Sequence, residues 1–189
     1  MTAAKRLALV LLLNVTMVVA LLVVGLAARS LGVLAAGGDY VGDAAGVALS
    51  LVALRARRPK GMSYAALANA TFLLIVTVVV VVEAVTRLLG GTGHVDGLPV
   101  IVVSVIAVLV MSACALIIGT VEHGDLNMRS VMLDTLADAF SSGGVAVSGA
   151  IILAVNGAYW LDPAVALGIA LVIAYHAIKL IGEVLVALR

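Results

Sequence analysis

Four aspartates lie inside apolar stretches of the sequence, as two pairs with the same spacing. Asp39 and Asp43 lie in LAAGGDYVGDAAG, and Asp134 and Asp138 lie in MLDTLADAFSSGG. In a helix, residues four apart lie on one face, about 6 Å apart along the axis. Each pair therefore predicts a helix that presents two carboxylates to the same neighbour.

Carboxylates in such surroundings need a partner. An ionised carboxylate in hydrocarbon is costly, so each one must be protonated, face water or hold a cation. Neither stretch contains a Lys or an Arg that could pair with the acids. Four oxygen-bearing side chains on two adjacent helices suit one divalent ion. The alternative is a set of protonated carboxyl groups that only join helices by hydrogen bonds.

The composition indicates where these helices reside. Of the 189 residues, 65% are hydrophobic and 11% are charged, and the mean hydropathy is +1.31. In a soluble domain about a quarter of all residues are charged, so this chain is an integral membrane protein. A net charge of +1 argues against nucleic acid as a partner. A single cysteine, Cys114, excludes an internal disulfide.

The apolar stretches set the number of spans. A helical span needs about 20 apolar residues. We therefore predict an all-α integral membrane protein whose residues 1–189 form a single transmembrane domain of six helices, without a soluble domain. The predicted spans are Leu7–Ala28, Ser30–Leu54, Ala65–Leu89, Leu98–Val121, Ser130–Asn156 and Pro163–Leu188.

Basic residues predict the orientation. With six spans and both termini in the cytoplasm, nine Lys and Arg residues lie on the inner side and two on the outer side, as the positive-inside rule requires. The inner residues are Lys5, Arg6, Arg55, Arg57, Arg58, Lys60, Arg129, Lys179 and Arg189, and the outer residues are Arg29 and Arg87. The first acid pair then lies about 13–20 Å from the outer end of its span, and the second about 6–12 Å from the inner end. All four carboxylates can meet somewhat inside the midplane.

Small residues surround the first acid pair. Gly38, Gly42 and Gly46 repeat every four residues, a spacing that lets neighbouring helices approach closely. Asn14 is a polar group inside the first span and could line an ion path. His176 lies in the middle of the sixth span, where we expect a hydrogen-bonded position at a helix interface. The remaining intramembrane charges form two pairs with i,i+4 spacing, Glu83 with Arg87 and Lys179 with Glu183.

At the aspartate pairs the sequence resembles the cation diffusion facilitator family of divalent-metal exporters. Family members have a second span like S-L-x-x-L-A-D-A-x-H-x-x-x-D and a fifth with H-x-x-x-D before small residues. Here these stretches read SLGVLAAGGDYVGDAAG and MRSVMLDTLADAFSSGG. Three further parts of the sequence are similar to the family: Asn14, EAVTRLL and WLDPAVALGIALVIAYHAIKLIGEVLVAL. The resemblance implies that Asp39, Asp43, Asp134 and Asp138 form a tetrahedral transport site. It also implies a homodimer that exchanges cytoplasmic metal for protons by alternating access.

The chain departs from the family pattern in several places. Asp39 and Asp134 stand where many zinc-transporting relatives have His, and Ala36 stands where an aspartate often precedes the first motif. An all-oxygen site favours Mn²⁺, Fe²⁺ or Co²⁺ more than a His-containing site does, although Zn²⁺ also accepts carboxylates. The cytoplasmic domain that usually follows the sixth span in this family is not expected in this chain.

We predict a divalent metal efflux transporter, a multi-pass protein of the cell (inner) membrane, that exchanges Zn²⁺, Mn²⁺, Co²⁺ or Fe²⁺ for protons. Its partners are the metal ion as substrate, protons, the lipid bilayer and a second copy of the chain, and no resident cofactor is expected. An enzyme is not expected, because the sequence has no nucleophile–base set and no cofactor loop. Two alternatives are a structural or regulatory membrane subunit with protonated aspartates, and a passive channel whose flux ignores a pH gradient.

Overall fold

The computed structural model describes the backbone of residues 3–56, 59–119 and 126–187. It describes side chains in these ranges apart from residues 3–7, 46–47, 49–56, 59–62, 65, 118–119, 126–136 and 187. The described chain forms the helices α1 (Ala3–Ala28), α2 (Leu31–Ala56), α3 (Pro59–Gly90), α4 (Gly97–Gly119), α5 (Leu126–Val155) and α6 (Leu161–Ala187). The predicted all-α class is confirmed for this part of the chain.

Five of these helices are long and apolar enough to cross a membrane. The candidate spans are Ala8–Ala28, Ala66–Gly90, Gly97–Ile117, Ala137–Val155 and Leu161–Val186. Helix α2 is not among them, and it has Asp39 and Asp43 in its middle. Helices suit a bilayer because every backbone N–H and C=O within them is hydrogen-bonded inside the segment. The chain is therefore a multi-pass membrane protein.

Three helices begin four or more residues before the predicted spans, and the first of them, α1, begins at Ala3 rather than Leu7. Helix α3 begins at Pro59 rather than Ala65, and α5 begins at Leu126 rather than Ser130. The prediction marked only the apolar part of each helix, whereas helical hydrogen bonding continues through the polar residues before it. Proline suits the first position of α3 because its missing N–H has no partner within a first turn.

Four helices form a ring, and the other two pack outside it. Helix α1 packs on α2 and α4, and α5 also packs on both α2 and α4. Helix α3 packs most extensively on α6, and both of them also contact α2. Helix α2 therefore belongs to the four-helix ring and also carries the α3–α6 pair.

Three connections lie together at one end of the bundle, which we call the Arg29 end. The backbone N–H of Asp96 donates to the carbonyl of Ala28 at 3.2 Å, so the α3–α4 connection lies against the α1–α2 turn. The rings of His94 and Tyr159 lie 5.1 Å apart, which adds the α5–α6 connection. The opposite end, where α2 finishes, is called the Ala56 end.

The turn between α1 and α2 is tight because Arg29 adopts a left-handed conformation, with φ of 56°. The N–H of Ser30 donates to the carbonyl of Gly25 at 3.0 Å, as in a Schellman motif. The end of α5 repeats the arrangement, with Asn156 at φ 46° and Gly157 N–H donating to the carbonyl of Ile152. These bonds give a donor to carbonyl groups that would otherwise have no partner at the end of a helix.

Small residues let α2 approach α3 closely. A Cβ atom placed on Gly38 would overlap Val76, and one placed on Gly42 would overlap Leu73. The amide of Asn69 in α3 also donates to the carbonyl of Gly42 at 3.1 Å. The predicted close approach at Gly38 and Gly42 is confirmed.

Candidate metal site

The first acid pair lies in the middle of α2, one helical turn apart on one face of the helix. Both Asp39 and Asp43 are partly exposed. The neighbouring Tyr40 is fully buried, with 0% of its surface exposed. The acids therefore lie where α2 meets open space, while the ring of Tyr40 packs into the protein.

The second acid pair lies in α5, and one of its members is described. Asp138 is buried, with 7% of its surface exposed. Asp134 belongs to the helical backbone of α5 one turn before Asp138, but its side chain lies outside the described residues. Where the Asp134 carboxylate lies relative to the other acids stays a prediction.

A buried hydrogen bond joins the two acid-bearing helices. The hydroxyl groups of Tyr40 in α2 and Ser142 in α5 lie 3.1 Å apart. Helices α2 and α5 run in opposite directions, because three chain reversals separate them. From this bond toward the Ala56 end, Asp43 comes three residues after Tyr40, and Asp138 comes four residues before Ser142. Asp43 and Asp138 are therefore at about the same level, one helical turn from the bond.

The three described carboxylates share one electrostatic neighbourhood. The hydroxyl of Tyr40 interacts electrostatically with the carboxylates of Asp138, Asp43 and Asp39. Among the described side chains, however, His, Cys, Asp and Glu form no group of three or more that is close enough to hold a metal ion. The described carboxylates thus lie around one buried tyrosine but not yet at the distances that a shared ion requires.

Exposure changes along α2 where the acids begin. Residues 31–38 of α2 are buried, except for Leu34, which is partly buried. From the first acid onward, several α2 residues are partly exposed: Asp39, Val41, Asp43, Ala44 and Ala45. The described acids of α2 therefore follow the buried first turns of the helix.

A buried carboxylate at the Arg29 end fixes the start of α2. Asp162, at the start of α6, has 0% of its surface exposed. One of its oxygens accepts hydrogen bonds from the Ser30 hydroxyl at 2.5 Å and the Gly32 N–H at 3.2 Å, and the other accepts from the Leu31 N–H at 2.6 Å. The Ser30 hydroxyl in turn accepts from the Val33 N–H at 3.1 Å. Asp162 and Ser30 thus satisfy the free N–H groups of the first turn of α2.

Sequence reasoning missed Tyr40, Ser142 and Asp162. The sixth predicted span begins at Pro163 and leaves Asp162 just outside it, although Ser30 immediately before α2 is typical of a helix N-cap. Nothing in the sequence pairs Tyr40 with Ser142, which lie 102 positions apart. The contact depends on how α2 packs against α5.

The prediction for His176 is wrong. We expected a hydrogen-bonded position at a helix interface, but His176 is exposed beside Tyr175, with ring centroids 5.6 Å apart. Ile173 and Ala177 occupy the buried face of α6. Each residue turns a helix by about 100°, so His176 leaves that face.

The two predicted intrahelical ion pairs are confirmed. The Nε atom of Arg87 lies 2.8 Å from Oε1 of Glu83, and Nζ of Lys179 lies 3.9 Å from Oε1 of Glu183. Arg87 has a further role, because its guanidinium donates to the carbonyl of Arg29 at 2.9 Å and so ties α3 to the α1–α2 turn.

Comparison with known proteins places this arrangement in context. Residues 7–188 match the family model of the cation efflux transmembrane domain. The chain is 29% identical over 194 residues to the zinc transporter ZitB of Pectobacterium atrosepticum, across 95% of this chain and 59% of that protein. The chain thus spans about three-fifths of the length of this curated relative.

Proposed function

This chain belongs to the cation efflux family of transmembrane domains, and we propose that it exports a divalent metal cation in exchange for protons. Its family consists of transporters rather than enzymes. In this proposal Asp39, Asp43, Asp134 and Asp138 bind the ion, which is the substrate and not a resident cofactor.

The observation that carries the proposal is the packing of α2 against α5. The hydrogen bond between Tyr40 and Ser142 brings Asp43 and Asp138 to one level of the bundle. In this proposal carboxylates from both helices reach one cation. Carboxylate oxygens are the donors that hard divalent ions prefer.

Protons compete for the same oxygens. Four ionised carboxylates around one divalent ion leave a charge of about −2, which a low-dielectric site tolerates poorly. Without the ion, protons neutralise the group, and an arriving cation displaces them. Exchange requires only that the site faces one side of the membrane at a time.

We assign the Ala56 end to the cytoplasm. The excess of basic residues in the connections and termini at this end supports the orientation, with six spans and both termini inside. In this proposal the ion is loaded from the cytoplasm. For a bacterial protein the membrane would be the cell (inner) membrane.

The carboxylate ligands of the proposed site and the name of the related transporter indicate partly different metals. The name of the relative supports Zn²⁺, which accepts carboxylate ligands, whereas an all-oxygen site also suits Mn²⁺, Fe²⁺ and Co²⁺. We also propose a homodimer in the lipid bilayer, as the sequence motifs imply, and light scattering of the detergent-purified chain measures this directly.

Metal flux into proteoliposomes tests the function. Purified chain is reconstituted with an internal metal-sensitive dye, and Zn²⁺ and Mn²⁺ uptake is followed with and without a proton gradient. We expect gradient-dependent uptake by the wild type and a loss of at least tenfold for Asp43→Asn and Asp138→Asn. Asp96→Asn is the matched control, because Asp96 is exposed beside His94 at the Arg29 end.

The same assay separates the alternatives. A structural subunit would show no flux in any variant and would tolerate Asn, which keeps hydrogen bonding but cannot ionise. A passive channel would show flux that ignores the proton gradient. Wild-type flux in both Asn variants would contradict the proposed site.

A further inference from the structure

Asn14 in α1 has a buried oxygen without a hydrogen-bond partner among the described residues. The side chain is 7% exposed, and its Oδ1 accepts no hydrogen bond within the described part of the chain. An unsatisfied carbonyl oxygen in an apolar interior is unfavourable, because it has lost its hydrogen bonds to water. A ligand that binds there would satisfy it.

Asn14 lies on the stripe of α1 that faces the interior of the four-helix ring. On its two sides along this stripe, Val10 packs with Cys114 of α4, and Met17 and Leu21 belong to the main core that includes Tyr40. The Asn14 side chain is therefore buried among ring helices rather than turned toward lipid.

The packing of α1 on α2 gives the level of Asn14. A Cβ on Gly25 would touch Leu34, and one on Gly37 would touch Leu21, so the two helices run in opposite directions with a defined register. Continuing this register places Asn14 beside α2 residues 44–45, which is about 3 Å along the axis from Asp43. Asn14 thus lies at the level of the acids, displaced slightly toward the Ala56 end.

We propose that the Asn14 side-chain oxygen is a further ligand of the transported cation, on the cytoplasmic side of Asp43; this inference rests on the proposed function. An amide oxygen is a hard neutral donor of the kind that divalent cations accept. It adds a ligand without adding a negative charge to an already acidic site. The oxygen is left unsatisfied when no ion is present, and binding of the ion satisfies it.

Two measurements on the detergent-purified full chain test this role. The first is the affinity for Zn²⁺ and Mn²⁺ by calorimetry, and the second is the thermal unfolding midpoint without metal. For Asn14→Leu we expect affinity to fall about tenfold or more, with an unchanged or higher midpoint because a buried unsatisfied oxygen is removed. Asn14→Asp keeps an oxygen donor and is expected to retain binding. Asn14→Ala gives the same affinity comparison if the Leu variant does not fold.

Thr77→Val is the matched control. Thr77 is 4% exposed and its hydroxyl also has no partner among the described residues, but it lies in α3, outside the four-helix ring. Its replacement is expected to leave metal affinity unchanged. A fall in affinity for Asn14→Leu but not for Thr77→Val therefore supports the proposal.

The outcomes separate this inference from the proposed function. Wild-type affinity in Asn14→Leu, with binding lost in Asp43→Asn, would overturn the role of Asn14 and leave the transporter intact. A lower unfolding midpoint without weaker binding would make Asn14 a structural residue. Absence of metal binding by the wild type would overturn both proposals.

Discussion

Tyr40 connects the two acid-bearing helices at the level of a single side chain. Its hydroxyl reaches Ser142 at 3.1 Å, and neither residue is more than 1% exposed. A buried hydroxyl pair has little access to competing water, so its loss leaves a polar group unsatisfied. The bond should therefore contribute both to stability and to the spacing of the acids.

Replacing Tyr40 by Phe keeps the ring and removes the hydroxyl. We expect the free energy of unfolding to fall by about 0.5–1.5 kcal/mol, because the Ser142 hydroxyl loses its buried partner. Thermal unfolding in detergent measures the change. Tyr64→Phe, at an exposed tyrosine of α3, is the control and should leave the midpoint unchanged.

A double variant tests whether the two hydroxyls act together. If they form one bond, Tyr40→Phe combined with Ser142→Ala should destabilise the protein by less than the sum of the single changes. Strict additivity of the two single changes would contradict a direct bond between them.

The sequence predicted residue chemistry better than residue surroundings. The spacing of Asp39 and Asp43 sufficed to place both on one face of α2, because helical periodicity is a local property. The burial of Tyr40 and the exposure of His176 depend on which helices pack beside each face. A single sequence of uniformly apolar helices contains little information about that packing.

At the scale of the helices, α2 is held by its neighbours from its first turn to Gly42. Asp162 of α6 caps its first turn, and α3 packs against Gly38 and Gly42. A shift of α2 along its axis would separate its acids from those of α5. The cap therefore fixes the position of Asp39 and Asp43 from about two to three helical turns away.

Asp162→Ala tests the cap. The change leaves the Ser30 hydroxyl and the N–H groups of Leu31 and Gly32 without their carboxylate in a buried site. We expect the free energy of unfolding to fall by about 3 kcal/mol or more. Asp162→Asn keeps one acceptor oxygen, so its free energy of unfolding should lie between those of the wild type and the Ala variant.

The control for this change is Asp96→Ala at the same end of the bundle. The Asp96 side chain is exposed and lies 3.5 Å from His94, so its removal should change stability by less than about 1 kcal/mol. Equal stability of Asp162→Ala and Asp96→Ala would contradict the capping role.

Five of the described helices were predictable because apolar length is a strong signal in a membrane protein, whereas α2 is not a candidate span by this measure. The ends of the helices were harder to predict, since α3 and α5 begin at Pro59 and Leu126 in polar sequence, where hydropathy does not mark a helix. The Schellman turn at Arg29 was also missed, because a left-handed arginine is uncommon and its cause lies in the packing of α1 on α2.

At the scale of the whole molecule, the connections at the Arg29 end of the bundle are tied together. Hydrogen bonds from Arg87 and Asp96 and those to Asp162 hold these connections against one another. In the proposed exporter these contacts would have to rearrange for the ion to leave at this end.

Metal affinity measured against pH tests the central claim, that carboxylates of α2 and α5 share one divalent ion with protons as rivals. For the wild type we predict that Zn²⁺ or Mn²⁺ binds more weakly as pH falls, by up to about tenfold per pH unit for each proton displaced. We also predict that Asp43→Asn and Asp138→Asn each abolish tight binding. Affinity that is independent of pH, or that is unchanged in both variants, would contradict the account.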